Sequence, residues 1–433
     1  MEKQNDPQTS RPFLAVHHWR SYVIFFSRNP QFKKFWLSGV VSQLGNWFNY
    51  IAVFVLLTRL TGSGDAISWF LIAKFIPTAF LGPAAGVVAD RFSRKTILVA
   101  CDLSRALLVL CFLLIRSPEQ VWLVYVLALI QESIWTFYDP ARRSAVPTLC
   151  SSDELNLANA LSGATWSMML AIGAALGGFV TSIFGWQTAI VLDSLSFLIS
   201  AWILSGINIP FEKPAVVKKA TWRTVTGLTD ILEGCRYVAG DSRVAFLLLV
   251  KSGWALSGGV LVLLTVFGEQ VFSGPGGAGS GSGILYSFRG LGAALGPFLA
   301  WRFFGESTHG MNRAIGFAFF IASGAYLAFS QAPTLLWAVP FVLAGHLGGS
   351  IQWVFSTTLL QRLVPNRFRG RVFAAEMALL TFILSLSTYF TGAALGKGHD
   401  PRSICVVLAL LFIIPGLLWT FYVWMANHTL SRS

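Results

Sequence analysis

Twelve apolar runs, each about long enough to cross a bilayer, dictate what this chain can become. They fall at residues 35–60, 66–89, 96–115, 119–138, 156–184, 186–207, 244–268, 280–304, 311–330, 333–358, 371–396 and 403–427. A helical crossing needs about 20 apolar residues. Backbone groups in hydrocarbon must find partners inside their own segment, and the runs lack strand alternation, so every run is expected to be a helix. The class is an all-α membrane protein with twelve transmembrane helices in two six-helix halves. The expected layout is a tail (1–34), a first half (35–207), a central loop (208–243), a second half (244–427) and a short tail (428–433).

Charge fixes the orientation. Charged residues are only 12% of the chain, against about 25% in soluble domains. The formal charge of +13 is carried in the gaps between runs, which reads as topology and excludes a nucleic-acid stripe. With the N-terminus cytoplasmic, 24 Lys and Arg lie in inside segments and 4 in outside loops. Both termini are therefore expected in the cytoplasm of a cell whose inner, plasma membrane holds the chain. The first 34 residues carry no apolar core of a cleavable signal, and Ser21–Phe26 is read as part of a loose tail. The five cysteines form no CxxC pair, so free thiols and no metal site are expected. No GxxxxGK[ST] occurs, so nothing here hydrolyses ATP, and no cofactor is expected. The loop Ser273–Gly283 reads as a Gly/Ser hinge, and Thr229–Tyr237 as a surface helix, read either as meeting anionic membrane lipid through the basic residues of this segment or as a solvated tether.

Where the second run ends, Gly82-Pro-Ala-Ala-Gly86-Val-Val-Ala-Asp90-Arg91-Phe-Ser-Arg94-Lys95 turns from small residues into one acid and three bases. Gly82 and Gly86 share a helix face and are expected to admit another helix closely. The halves repeat weakly: Gly292/Gly296 echo Gly82/Gly86, and the basic loop Gln361–Arg371 echoes Pro140–Pro147, while Ala300 stands where the acid would recur. Parallel repeats point to a transporter with its site between the halves near midplane.

The stretch Gly86-x3-Asp90-Arg91-x2-Arg94-Lys95 resembles the signature loop of the major facilitator superfamily. Phe35-Trp-Leu…Ser42-Gln-Leu-Gly45-Asn46-Trp47, Asp102-Leu-Ser-Arg105-Ala, Pro140-Ala…Pro147…Ala158-Asn159-Ala-Leu, Asp193-Ser-Leu-Ser-Phe197 and Pro365…Arg369-Gly-Arg371-Val resemble its drug and siderophore exporter branch, which includes macrolide efflux pumps and the enterobactin exporter. The resemblance implies that Asp90 meets the N-terminus of helix 11, beside Arg369 and Arg371, as a latch on the inner gate. It also implies that Arg91 or Arg94 pairs with Asp139. This chain departs from the branch at Asn46, where an acid is common, and at Gly173-Ala174-Ala-Leu-Gly177-Gly178, where a proline usually makes a kink.

At 1.5 Å per residue, Lys74, Glu132, Asp193, Lys251 and Arg289 lie about 10 Å or more inside their spans. Charges there are costly and mark function by default. Glu132, on a helix that lines the cavity in this superfamily, is the first proton-coupling candidate, with Asp193 and His346 beside it. Asp193 and His346 also fit structural roles. Lys251 and Arg289 are read as anion contacts or as neutralisers of Glu132, Lys74 as reaching outward, and Glu376 as pairing with the basic loop before it. Asp102 and Arg105, three apart, are expected to pair. Asn49, Tyr50, Trp135, Trp254 and Trp353 are candidate cavity-lining residues for an amphipathic or aromatic substrate.

The expected function is secondary active export of hydrophobic or amphipathic small molecules, a drug or a siderophore, by a monomeric proton antiporter cycling through alternating access. A lysophospholipid flippase of the same fold is the second reading. A non-transporting sensor or membrane enzyme is remote, because no catalytic constellation is present.

Overall fold

The computed structural model describes residues 19–210, 233, 236–272 and 277–430. The expected surface helix at 229–237 falls largely outside these residues; of the Gly/Ser hinge, 273–276 lie outside them, and Ser280–Gly283 form the first turn of a helix rather than a hinge. Eleven described helices are long and apolar enough to cross a membrane. With the Gly-rich helix Ser280–Phe304, of 25 residues, they occupy all twelve expected runs. They are α1 (Pro30–Thr61), α2 (Gly64–Arg91), α3 (Arg94–Leu114), α4 (Val121–Leu149), α5 (Leu157–Phe184), α6 (Trp186–Ser205), α7 (Ser242–Val271), α8 (Ser280–Phe304), α9 (Thr308–Ser330), α10 (Leu335–Leu363), α11 (Asn366–Gly396) and α12 (Pro401–Ala426).

Local chemistry sets the boundaries. Gly62, at φ 60°, ends α1 in the left-handed region, and the Ser63 hydroxyl accepts from the Asp65 N–H to start α2. Asp241 and Asp400 cap α7 and α12 the same way. Backbone donors at Ser403 hold the Asp400 carboxyl below the usual carboxylate range. In α5 the missing proline is replaced by a wider π turn at Met169–Gly173, a distortion common at functional positions. A second π turn, Phe267–Val271, closes α7.

The tail is more ordered than expected. Trp19–Arg28 is a short helix whose Phe25 packs edge-on against Phe32, ring centres 4.9 Å apart. Val23 and Ile24 are left exposed on its other side.

The bundle is tied together at the end that carries the Gly62 turn. There a Cβ on Gly178 would stand 2.8 Å from the Gly279 carbonyl, and one on Gly283 would stand 2.8 Å from Gly178 Cα. Further along the same seam, a Cβ on Gly290 would meet the Ala171 nitrogen at 2.4 Å, and the Ser287 hydroxyl donates to the Ala171 carbonyl at 2.7 Å. Only glycine lets α5 and α8 approach so closely. Between α2 and α11, Gly392 abuts Ser68 and Trp69 meets Tyr389 edge-on at 5.7 Å. Gln270 of α7 donates to the Gly62 carbonyl at 3.3 Å.

The opposite end, where α2 runs into α3, differs. Among the described residues, nothing lies within 4 Å of a Cβ built on Gly82 or Gly86. The expected close approach at these two glycines is therefore not made in this conformation; the tight helix contacts belong to Gly178, Gly283 and Gly290.

A Gly290→Val substitution should strain the α5–α8 seam by about 1–3 kcal/mol and lower the melting temperature of the detergent-purified protein. Gly82→Ala, with open space beside it, should shift stability by less than about 0.5 kcal/mol. A Gly290→Val protein that melts with the parent would refute the seam.

Candidate functional site

Lys74 on α2 and Glu132 on α4 form an ion pair between two of the first six helices, Nζ to Oε2 at 3.2 Å. Both side chains keep a little exposure, 14% and 15%, so the pair is not fully sealed off. Lys74 stands 5.7 Å from the Tyr50 ring and 5.9 Å from that of Phe70, within cation–π range. It therefore does not reach outward, and the neutraliser of Glu132 is Lys74 rather than Lys251 or Arg289.

The seam brings an aromatic cluster beside this pair. Tyr286 of α8 lies 5.9 Å from Trp47, 6.1 Å from Tyr50 and 5.7 Å from Phe54, all on α1. Its hydroxyl donates to the Leu261 carbonyl at 2.9 Å, so the ring is held rather than free. Sequence reasoning missed Tyr286, although its place between Gly283 and Gly290 on the small-residue face marked it as the bulky member of that seam.

In the second set of helices the charges also find partners. Arg289 Nε donates to His346 Nε2 at 2.8 Å, and His346 Nδ1 meets the Tyr326 hydroxyl at 2.6 Å. Because Nε2 accepts from a guanidinium, this geometry fits a neutral ring with its proton on Nδ1. Trp254 stands edge-on to His346 at 6.5 Å. Lys251 binds Glu376 at 2.7 Å in a buried pair, with its ammonium 4.6 Å from the Trp353 ring. Glu376 thus pairs with Lys251 across α7 and α11 and not with the basic loop.

Other candidates sit elsewhere. Asn49 is buried, and its amide nitrogen has no partner, so it packs inside the helices rather than lining an open cavity. Trp135 stacks on Tyr138 at 5.3 Å, beside the Arg105 guanidinium. Arg105 binds Asp102 as expected, and the Ser200 hydroxyl donates to the second Asp102 oxygen at 2.6 Å. Asp193 is fully buried with both oxygens unpartnered.

At the signature loop, Asp90 is the penultimate residue of α2; its side chain lies outside the described residues. Asp139 pairs with Arg143 of its own helix at 2.8 Å, where Arg91 or Arg94 was expected. Arg369 donates to the Val364 and Gln361 carbonyls, at 3.0 and 2.5 Å, closing the end of α10. Arg371 pairs with Glu233 at 2.7 Å. These loop bases are thus engaged within the α7–α12 side and the central loop.

The profile of the Major Facilitator Superfamily matches residues 35–388. The chain belongs to that family. It is 27% identical over 416 residues to the uncharacterised MFS-type transporter YfiS of Bacillus subtilis, covering 88% of this chain and 90% of YfiS. It is 27% identical over 182 residues to macrolide efflux protein A of Streptococcus pyogenes, covering 42% of this chain and 45% of that protein. A putative bacilysin exporter, BacE of Bacillus subtilis, is 24% identical over 331 residues, covering 75% and 78%. Among solved structures, a bacterial homologue of the lysosomal transporter Spinster superposes with a TM-score of 0.68 at 16% identity, over 91% of this chain and 97% of that one. This likeness is one of fold. The chain is thus a multi-pass membrane transporter of this family, with efflux proteins among its relatives.

Removing one partner of the Lys74–Glu132 pair should cost more than removing both. Lys74→Met and Glu132→Gln each leave a lone charge in a poorly solvated place, whereas the double variant leaves none. Thermal unfolding of the four proteins should give a coupling of about 0.5–3 kcal/mol. Strictly additive shifts would show that the pair does not interact.

Proposed function

We propose that this chain is a proton-driven exporter in a bacterial-type plasma membrane, moving hydrophobic or amphipathic small molecules outward by alternating access. One observation carries the reading. The α5–α8 and α2–α11 contacts gather at the Gly62 end, while Gly82 and Gly86 at the other end stand open. With both termini cytoplasmic, as the Lys and Arg distribution favours, the closed end faces outward and the open end faces the cytoplasm. That is the state in which an exporter loads its cargo.

The cavity chemistry agrees with such a cargo. Rings from the half-buried Trp47 and Tyr50 offer apolar faces, backed by the buried Tyr286, and the Lys74–Glu132 pair gives a polar anchor that competes for a charged substituent. The names of the relatives, a macrolide efflux protein and a putative bacilysin exporter, support the same class. Glu132 takes a proton in this cycle, which frees Lys74 from its partner. In the outward-facing state Asp90 meets the N-terminus of α11, where a helix carries about half a positive charge, and Gly82 and Gly86 supply the close approach. The protein works as a monomer.

Cells expressing the chain should keep a macrolide out, and a protonophore should abolish that exclusion. Glu132→Gln should make any residual export insensitive to pH gradients; full gradient-driven export by this variant would sink its role. Asp90→Asn should insert normally yet export about tenfold more slowly, equivalent to about 1.4 kcal/mol. Parental rates in that variant would refute the latch.

A further inference from the structure

Asp193 differs from the other buried charges. Asp102 has Arg105 and Ser200, Glu376 has Lys251, and Glu132 has Lys74. Asp193 is fully buried, and neither carboxyl oxygen has a hydrogen-bond partner. An ionised carboxylate without donors in so dry a place costs several kcal/mol, whereas a carboxylic acid costs far less.

The neighbours complete the picture. Helix α6 lays one face on α3: the Ser194 hydroxyl donates to the Ala106 carbonyl at 2.8 Å, the Ser200 hydroxyl reaches Asp102, and the Phe197 ring lies 4.3 Å from the Arg105 guanidinium. Phe197 is one turn from Asp193 on α6, so Asp193 is the next position along the strip that faces Arg105. Arg105 spends one nitrogen on Asp102, while its Nε and Nη1 are buried without partners. Arg105 thus keeps two orphan donors and Asp193 two orphan acceptors, and the two side chains interact electrostatically. From α1, Gly45 closes the site: a Cβ there would lie 2.7 Å from Asp193 Oδ1 and 1.9 Å from the Ser196 hydroxyl.

The charges that bear on Asp193 are Arg105 and Asp102 on α3 and Lys74 on α2. On α1, Tyr50 meets Phe70 and Tyr286 edge-on. The α5 residues packed on α6 bring no titratable side chain, and the turn that ends α3 brings the Cys111 thiol.

We propose that Asp193 is a proton-binding site, occupied in this conformation and emptied in another. When the proton leaves as hydronium through a path opened by movement of α1 at Gly45, the carboxylate takes the free Nε–H or Nη1–H of Arg105. Arg105 then bridges Asp102 and Asp193, and α6 shifts against α3. Only the use of this proton in transport rests on the proton-driven reading above; its presence does not.

The test needs no transported substrate. Infrared difference spectra of the full-length, purified protein between neutral and alkaline pH should contain the carbonyl stretch of an un-ionised carboxylic acid, present at neutral pH and lost as pH rises. In protein labelled with carbon-13 aspartate the band should move to lower frequency. It should vanish in Asp193→Asn. In Asp193→Glu, which keeps the acid if the amide variant does not fold, an acid band should remain but lose its response to the aspartate label. A label-sensitive band that survives in either variant, or no acid band in the parent, would overturn the proposal. Loss of macrolide export with the band intact would instead sink the exporter reading and leave the proton site standing.

Discussion

Gly178 and Gly283 meet backbone to backbone, and much of the surrounding structure depends on that contact. Lipid tails are as apolar as leucine, so helices in a bilayer gain nothing by merely hiding apolar side chains from lipid. They gain by coming close. A Cβ on either residue would stand 2.8 Å from backbone atoms across the seam, so only glycine permits the approach. That approach seats Ser287 on the Ala171 carbonyl and carries Tyr286 in among Trp47, Tyr50 and Phe54. Tyr50 in turn is one of the two rings near the Lys74 ammonium. The close helix contact and the Lys74–Glu132 pair are thus linked through Tyr286 and Tyr50.

The distribution of charge pairs has a mechanical consequence. Lys74–Glu132 joins α2 to α4 and Asp102–Arg105 lies within α3, while Lys251–Glu376 and Arg289–His346 join helices among α7–α12. None of the four crosses between the two sets. What does cross is rings, glycine backbone and single hydrogen bonds such as Gln270 to the Gly62 carbonyl. Separating a buried ion pair costs several kcal/mol because each charge is left unpaired; parting two packed rings and a neutral hydrogen bond costs far less. The two sets can therefore change their relation without exposing a lone charge.

The spans, their number and the family were legible in the sequence because each is written along the chain: run length, charge in the gaps and the Gly86–Lys95 motif. Depth was legible too, so Lys74, Glu132, Asp193, Lys251 and Arg289 were all marked as buried charges. Their partners were not. Residue count gives height along a helix axis, whereas pairing depends on the rotation and neighbours of each helix, which no local pattern encodes. Hence Lys74 rather than a base of the second half meets Glu132, and Glu376 turns to Lys251 rather than to its own loop. The glycines show the same limit. Gly82/Gly86 and Gly279/Gly283 both stand four apart, yet only the second pair is in close contact here.

That inequality is itself informative under the proposed exchange between two states. A helix pair that is tight at one end and open at the other can be reversed at small net cost only if the open end carries surfaces able to pack equally well. Gly82 and Gly86 are such surfaces, held ready on α2, whose opposite end already packs on α11 through Ser68 and Gly392. One helix thus carries a close-contact face at both ends. Closing the Arg94 end would bring back on α2 the packing that α5 and α8 give up. Two states balanced in this way differ by a few kcal/mol, a difference that one proton moved on or off a buried carboxyl can match. The seam supplies the balance, and the buried acids supply the bias.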